Sequence, residues 1–229
     1  MPFWEEKKET EYSTISDEVV DLSFRIRCKT LPRDHIWGLS QAILKQLPWF
    51  ADEPHAALHQ ILVAESGNGW LSPEGQDALH YPSRRTRLTL RLPKHRINET
   101  ISALEHQTVS IHHHTLQLTR PEVQLLSRLT TLYARFAIFH EQESEEQFLI
   151  RTQQELAPRG IHPRKMICGK LNLLQVEQRT IATHSLMLAD LSPHEAILLQ
   201  QKGLHEGKNF GCGVFLPHKT VENLILERE

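Results

Sequence analysis

Three kinds of residue in this 229-residue chain have the types and spacing to do chemistry. The first is histidine placed at the edge of an element. His35 closes the run Leu31-Pro32-Arg33-Asp34-His35, and His59 sits in an apolar stretch further on. An imidazole titrates near neutrality, so it can take or deliver a proton at a reacting oxygen. The second is arginine at alternate positions. Between Arg84 and Arg96 lie five arginines, one lysine and no acid, and Arg85, Arg87 and Arg91 share one face of a strand-like alternation. Guanidinium groups bind phosphate through paired N–H donors; the same face also reads as a plain solvated strand surface. The third is a glycine-rich loop. Gly203, Gly207, Gly211 and Gly213 place four of the ten glycines in eleven residues, with Lys208 inside the run and Lys219 beyond it. Such density permits positive φ and brings backbone N–H groups close to an anion. The alternative is a turn that feeds an edge strand over Val214 to Leu216.

The elements that must carry these residues follow from periodicity. Val19 to Lys29 alternates, with Val20, Leu22, Phe24 and Ile26 on one face, and predicts a strand. Asp34 is placed to cap a helix that runs to about Leu47 over a stripe of Ile36, Leu39, Ile43 and Leu47, and Pro48 stops it. His35 then lies at the start of that helix, where the dipole disfavours an added positive charge and keeps the imidazole basic; a role in capping alone is the other reading. Strands follow over Leu58 to Ala64 and Arg85 to Leu92, then a helix over about Arg96 to Gln107 and a strand around Thr115 to Thr119. The order is β-α-β-β-α-β, a ferredoxin-like unit.

A second pass begins near Arg128. A strand over Leu132 to His140 precedes the capping box Ser144-Glu145-Glu146-Gln147, which opens a helix through Leu156. Met166 to Val176 and Thr180 to Leu188 read as a hairpin, and Ser192-Pro193-His194-Glu195 is a second capping box with proline at the first helical position. That helix ends at Gly203, and the glycine loop leads to a last strand. The expected fold class is therefore α+β, two ferredoxin-like units in tandem over 19–127 and 128–229, behind a polar leader over 1–18.

Composition removes several function classes. No apolar run approaches the length of a membrane span, and the first residues carry no secretion signal. Cys28, Cys168 and Cys212 are widely separated and odd in number, which argues for reduced thiols, a cytoplasmic setting and no Cys-x-x-Cys zinc site. His112-His113-His114 reads as a polar hairpin turn, because neighbours on a strand point to opposite faces and do not converge on a metal. No metal or cofactor is expected. The net charge is −2, but residues 1–21 hold seven acids and two lysines, so the rest of the chain stands at +3. Binding of a polyanion must then come from local patches.

The glycine loop also carries a resemblance. Gly203-Leu204-His205, five residues, then Gly211-Cys212-Gly213 resembles the glycine-rich loop of the CRISPR RNA-processing endoribonucleases of the RAMP superfamily, with His205 in place of one glycine. Leu31-Pro32-Arg33-Asp34-His35, Leu47-Pro48-Trp49, Arg87-Leu88-Thr89-Leu90-Arg91-Leu92-Pro93, Thr131-Leu132-Tyr133-Ala134-Arg135 and Phe215-Leu216-Pro217-His218-Lys219 resemble blocks of the same family, in order. The resemblance implies tandem ferredoxin-like domains and metal-independent cleavage of CRISPR precursor RNA within each repeat, leaving a 2′,3′-cyclic phosphate and a 5′-hydroxyl. It implies that His35 is the proton-transfer residue, with His59 the runner-up. RNA contacts are expected from Arg84, Arg85, Arg87, Arg91, Gly203, Gly207, Lys208, Gly211, Gly213 and Lys219. The expected partners are repeat RNA, retained as guide RNA, and other CRISPR effector subunits. Two rivals stand beside this reading: a non-catalytic RNA-binding subunit of the same fold, and a protein-interaction module without RNA.

Overall fold

The structure, a computed structural model, describes residues 18–63, 78–204 and 206–218. The polar leader expected over 1–18, apart from its last residue, Ala64 at the end of the second expected strand, and His205 and Lys219 lie outside the described residues. The N-terminal half places β1 (Val19–Arg27), β2 (Leu31–Pro32), α1 (Ile36–Gln46), β3 (Ala57–Leu58), β4 (Leu79–His80), β5 (Arg87–Pro93), α2 (Ile97–Leu104), β6 (Thr108–Ile111) and β7 (His114–Leu125) in chain order. Its main sheet runs β3-β5-β1-β7-β6, all antiparallel, and β2 pairs with β4 apart from it. The C-terminal half adds β8 (Leu132–Ile138), α3 (Glu145–Leu156), β9 (Lys165–Val176), β10 (Arg179–Ala189), α4 (Pro193–Lys202) and β11 (Leu216–Pro217), with sheet order β11-β8-β10-β9. Each main sheet thus sets its first strand between two later ones, β1 between β5 and β7 and β8 between β10 and β11, the ferredoxin-like arrangement.

The alternation of β1 does what period two requires. Val20, Leu22, Phe24 and Ile26 are buried in the N-terminal core, while Asp21, Ser23, Arg25 and Arg27 occupy the opposite face. α1 covers the core side with Leu39 and Ile43, and Pro48 ends it in a short 3-10 turn over Pro48–Ala51. Its N-cap is His35 rather than Asp34, and no side chain caps the helix. The second expected strand is shorter than its apolar run, ending at Leu58. The histidine run is the expected hairpin turn between β6 and β7, with His112 at φ +51°. Both capping boxes form as read: Ser144 with Gln147, and Ser192 with Glu195.

Two cores are joined by a third cluster. Ile36 at the start of α1 meets Phe136, Leu174, Val176 and Cys212 of the C-terminal half. A bulge in β9 makes this possible. Cys168 pairs with Leu186 and Leu171 with His184, so β9 has two residues, Gly169 and Lys170, where β10 has only Ser185. The extra residue reverses which face later side chains take. Before it, Met166 and Cys168 pack on the C-terminal core; beyond it, Leu174 and Val176 reach α1.

Candidate functional site

The polar face of the N-terminal sheet is the site's floor. On it, β1 and β5 set Asp21 opposite Arg91, Ser23 opposite Thr89 and Arg25 opposite Arg87. One end of this face is closed. Arg91 is 1% exposed; its Nε and Nη2 donate to the two carboxylate oxygens of Asp21 at 2.8 and 3.0 Å, and its Nη1 donates to the carbonyls of Gln200 and Phe215. His59 completes the cluster with Nε2 3.3 Å from Asp21 Oδ1. Burial raises the Asp21 carboxyl, but His59 and Arg91 outweigh it and hold the group well below the usual carboxylate range. One expectation is corrected here. Arg91 is not a phosphate ligand on an open face, because its donors are engaged with a carboxylate and with carbonyls of the C-terminal half. His59, expected as the runner-up for proton transfer, is buried against the same carboxylate.

The other end is open. A groove of about 930 Å³ runs over Arg25 and Arg27 at the end of β1 and Lys29 just beyond it, past Pro82 to Arg84, and up to His113, His114 and Arg120 on β7 and the turn before it. Among the described residues, five full cations line it and no carboxylate does. Thr30 Oγ1 lies 2.8 Å from Nδ1 of His114 and fixes that ring. Of the expected RNA ligands, the structure brings Arg84 into this groove. Arg85 is exposed beside it, and Arg87 pairs with Glu122 across the sheet at 3.3 Å. The sequence reading missed Arg25, Arg27, Lys29 and Arg120. The signal for the first three was present, since they are the odd positions of the alternation whose even positions form the core.

His35 sits next to the β2–β4 pair. It is 0% exposed. Its Nδ1 is 2.9 Å from the Pro32 carbonyl and 3.2 Å from that of Arg33, which makes Nδ1 the protonated nitrogen and leaves the lone pair on Nε2. Nε2 is buried with no hydrogen-bond partner among the described residues. The ring of His80 meets it edge-on at 6.1 Å. Burial pushes the imidazole down to about 4; the two carbonyls pull it the other way, and the charges of His80 and Arg135 add to the depression. The ring is therefore a neutral acceptor at neutral pH, through desolvation more than through the helix dipole.

The glycine loop closes on the protein itself. Gly203, Gly207, Gly211 and Gly213 all have positive φ. Their neighbourhood uses its N–H groups internally: Gly203 donates to Leu199, Leu204 to Gly213, Gly211 to Lys208, Cys212 to Gly207 and Gly213 to Phe136. Gly203, Gly211 and Gly213 are buried, and a Cβ on Gly211 would stand 3.4 Å from the Leu58 carbonyl of the N-terminal half. Lys208 is tied to the Pro54 carbonyl, and burial lowers its ammonium below the usual lysine value. The expectation of an anion cradle is corrected to a packing element that joins the two halves; a Cβ on Gly207 would meet the Phe210 ring at 2.7 Å. The three cysteines are unpaired, and no described helix is long and apolar enough to cross a membrane.

Comparison with known proteins adds to this geometry. Residues 20–220 match the family model described as Cas6 Crispr. The chain is similar to a Myxococcus xanthus (strain DK1622) protein named CRISPR-associated endonuclease Cas6, 26% identical over 201 residues that cover 86% of this chain and 81% of that one. Its fold is similar to that of a Cas6-related gene product from Pyrococcus furiosus, with a TM-score of 0.64 and 12% identity over 88% of this chain and 99% of the other. It is similar as well to a RAMP protein described as binding different RNA substrates, with a TM-score of 0.62 and 14% identity over 87% and 100%.

Proposed function

The chain belongs to the Cas6 family, and from that premise we propose that it is an endoribonuclease that cuts CRISPR repeat RNA, whose phosphates lie along the basic groove of β1 and β7. The observation that carries this reading is the groove itself: Arg25, Arg27, Lys29, Arg84 and Arg120, with no carboxylate among the described residues of its walls. Cations so placed bind the backbone regardless of sequence. They also stabilise the charge that builds on phosphorus when a 2′-hydroxyl attacks it.

The cut proceeds without metal. His35 takes the 2′-hydroxyl proton through Nε2, the 2′-oxygen displaces the 5′-oxygen from phosphorus, and the departing 5′-oxygen takes up a proton, giving a 2′,3′-cyclic phosphate and a 5′-hydroxyl. The buried Nε2 must become accessible when RNA docks. The protein stays on the 3′ end of the guide RNA, alongside other CRISPR effector subunits, in the cytoplasm. The full burial of His35 favours a second reading, in which the chain binds RNA and does not cut it.

Repeat RNA incubated with pure protein in EDTA separates the two. Cleavage at one position, with a cyclic phosphate end, supports the enzyme; tight binding with intact RNA supports the binding subunit. In the first case, His35→Ala should slow single-turnover cutting by about a hundred- to ten-thousand-fold at unchanged affinity. If that variant cuts normally and His114→Ala does not, the proton is handled inside the groove instead.

A further inference from the structure

Among the described residues, one cluster outside the groove joins groups suited to a metal ion. Glu145 in the first turn of α3, Cys168 on β9 and His184 on β10 offer a carboxylate oxygen, a sulfur and an imidazole nitrogen that all lie within 4.8 Å of one another. We propose that these three residues bind a zinc ion, with water as the fourth ligand, at the seam between α3 and the β9–β10 hairpin.

The site is built rather than incidental. His184 is buried, and its Nδ1 lies 2.8 Å from the Gly169 carbonyl. That contact protonates Nδ1 and leaves Nε2 as a ligand, the arrangement by which a backbone carbonyl orients a metal-binding histidine. The ring is held by Phe139, 4.5 Å away between centroids, and by Phe148 at 6.0 Å. The carbonyl that fixes it belongs to the β9 bulge, opposite Ser185, and bulges commonly re-aim a side chain beside a functional site. Glu145 is held in place by the capping box of Ser144 and Gln147 on either side of it.

The donor set decides the ion. One thiolate, one imidazole and one carboxylate suit zinc, whereas magnesium and calcium want oxygen ligands. Tetrahedral zinc at its usual bond lengths sets ligand atoms roughly 3.3 to 3.8 Å apart, so atoms within 4.8 Å of one another need close by no more than about 1.5 Å, a shift that side-chain rotation supplies. The positive end of α3 opposes a cation here. The two anionic ligands more than balance it, and both are needed. Binding displaces the Cys168 thiol proton to solvent as the Zn–S bond forms. The three residues lie far apart in sequence and show no zinc spacing, which is why no motif reports them.

Cobalt(II) is the probe, because a cobalt–thiolate bond absorbs in the near ultraviolet. The full chain, stripped of metal with a chelator and dialysed, should develop that band at one equivalent of cobalt, and one equivalent of zinc should remove it. Cys168→Ser should abolish the band, and Glu145→Gln should weaken cobalt binding at least tenfold. Cys28→Ala serves as the control and should leave the band unchanged. Zinc should raise the melting temperature of the native chain and not that of Cys168→Ser, a readout that also exposes a variant that fails to fold. The absence of a thiolate band in the native chain, or its survival in folded Cys168→Ser, overturns the proposal.

Discussion

Arg91 and Arg87 are four residues apart on one strand, on one face, opposite Asp21 and Arg25 respectively. Nothing in their local alternation separates them. Arg91 is buried under carbonyls of the C-terminal half and holds Asp21 through two donors. Arg87 keeps a single, half-exposed pair with Glu122. The same sheet face is an interior wall at one end and the floor of a cationic groove at the other. The strand pattern sets the face; the second half of the chain, by where it lands, sets the chemistry.

The hardest test of that contrast is Arg91→Ala. It leaves Asp21 buried with only His59 beside it, and it should cost about 3–5 kcal/mol of stability, read by chemical denaturation. The fraction that stays folded should bind RNA with an unchanged salt slope. A stable variant with weakened RNA affinity would return Arg91 to the binding surface.

Titration distinguishes the closed end from His35. Unfolded, the imidazole titrates near 6.5, and in the folded protein at about 4. Between those values the unfolded chain binds more protons, so stability should fall as pH drops from 6.5 to 4, by roughly 3 kcal/mol, and level off below. Asp21 acts lower. Its depressed carboxyl contributes fully above its ordinary value of 3.8, and that contribution is lost as pH falls further. His35→Asn should therefore flatten the upper limb of a stability–pH profile, and Arg91→Ala the lower. A native profile flat from 6.5 to 4 would mean that His35 is open to water.

The glycine loop belongs with the closed end. Gly213 sits at φ +64°, and a Cβ there would stand 2.8 Å from Leu204 Cβ. Gly213→Val should lower stability by about 1–3 kcal/mol and leave the RNA affinity of the folded fraction intact. Lost affinity in a fully folded variant would restore the loop as an RNA contact.

The open end gives the smallest change in stability. Arg25→Ala combined with Arg27→Ala should shift stability by about 0.5 kcal/mol or less and reduce the slope of log affinity against log salt by about 1.4 for single-stranded RNA. Arg87→Ala, removing an exposed pair, should do less on both counts. An unchanged slope in the double variant would mean that RNA docks elsewhere.

Legibility in the sequence followed the range of the determining contacts. The core face of β1, the buried stripe of α1 and both capping boxes depend on residues within a few positions of one another, and each formed as the pattern predicts. Asp34 failed as a cap because the N-cap falls one residue later, at a histidine whose Nδ1 turns back to Pro32 and Arg33. Arg91 was misread because its partners lie 70, 109 and 124 residues away. The groove needed β1, the 82–84 segment and β7 side by side before its charge could be seen.

The β9 bulge restricts how this chain can change over time. Because Gly169 and Lys170 stand opposite Ser185 alone, Cys168 serves one core and Leu174 another. Losing or gaining a single residue between those two positions would exchange inside and outside for everything up to the hairpin tip, turning Leu174 and Val176 away from Ile36. Length variants of the hairpin among descendants of this chain should therefore differ by even numbers of residues on that strand. Odd changes there should survive only together with a compensating one.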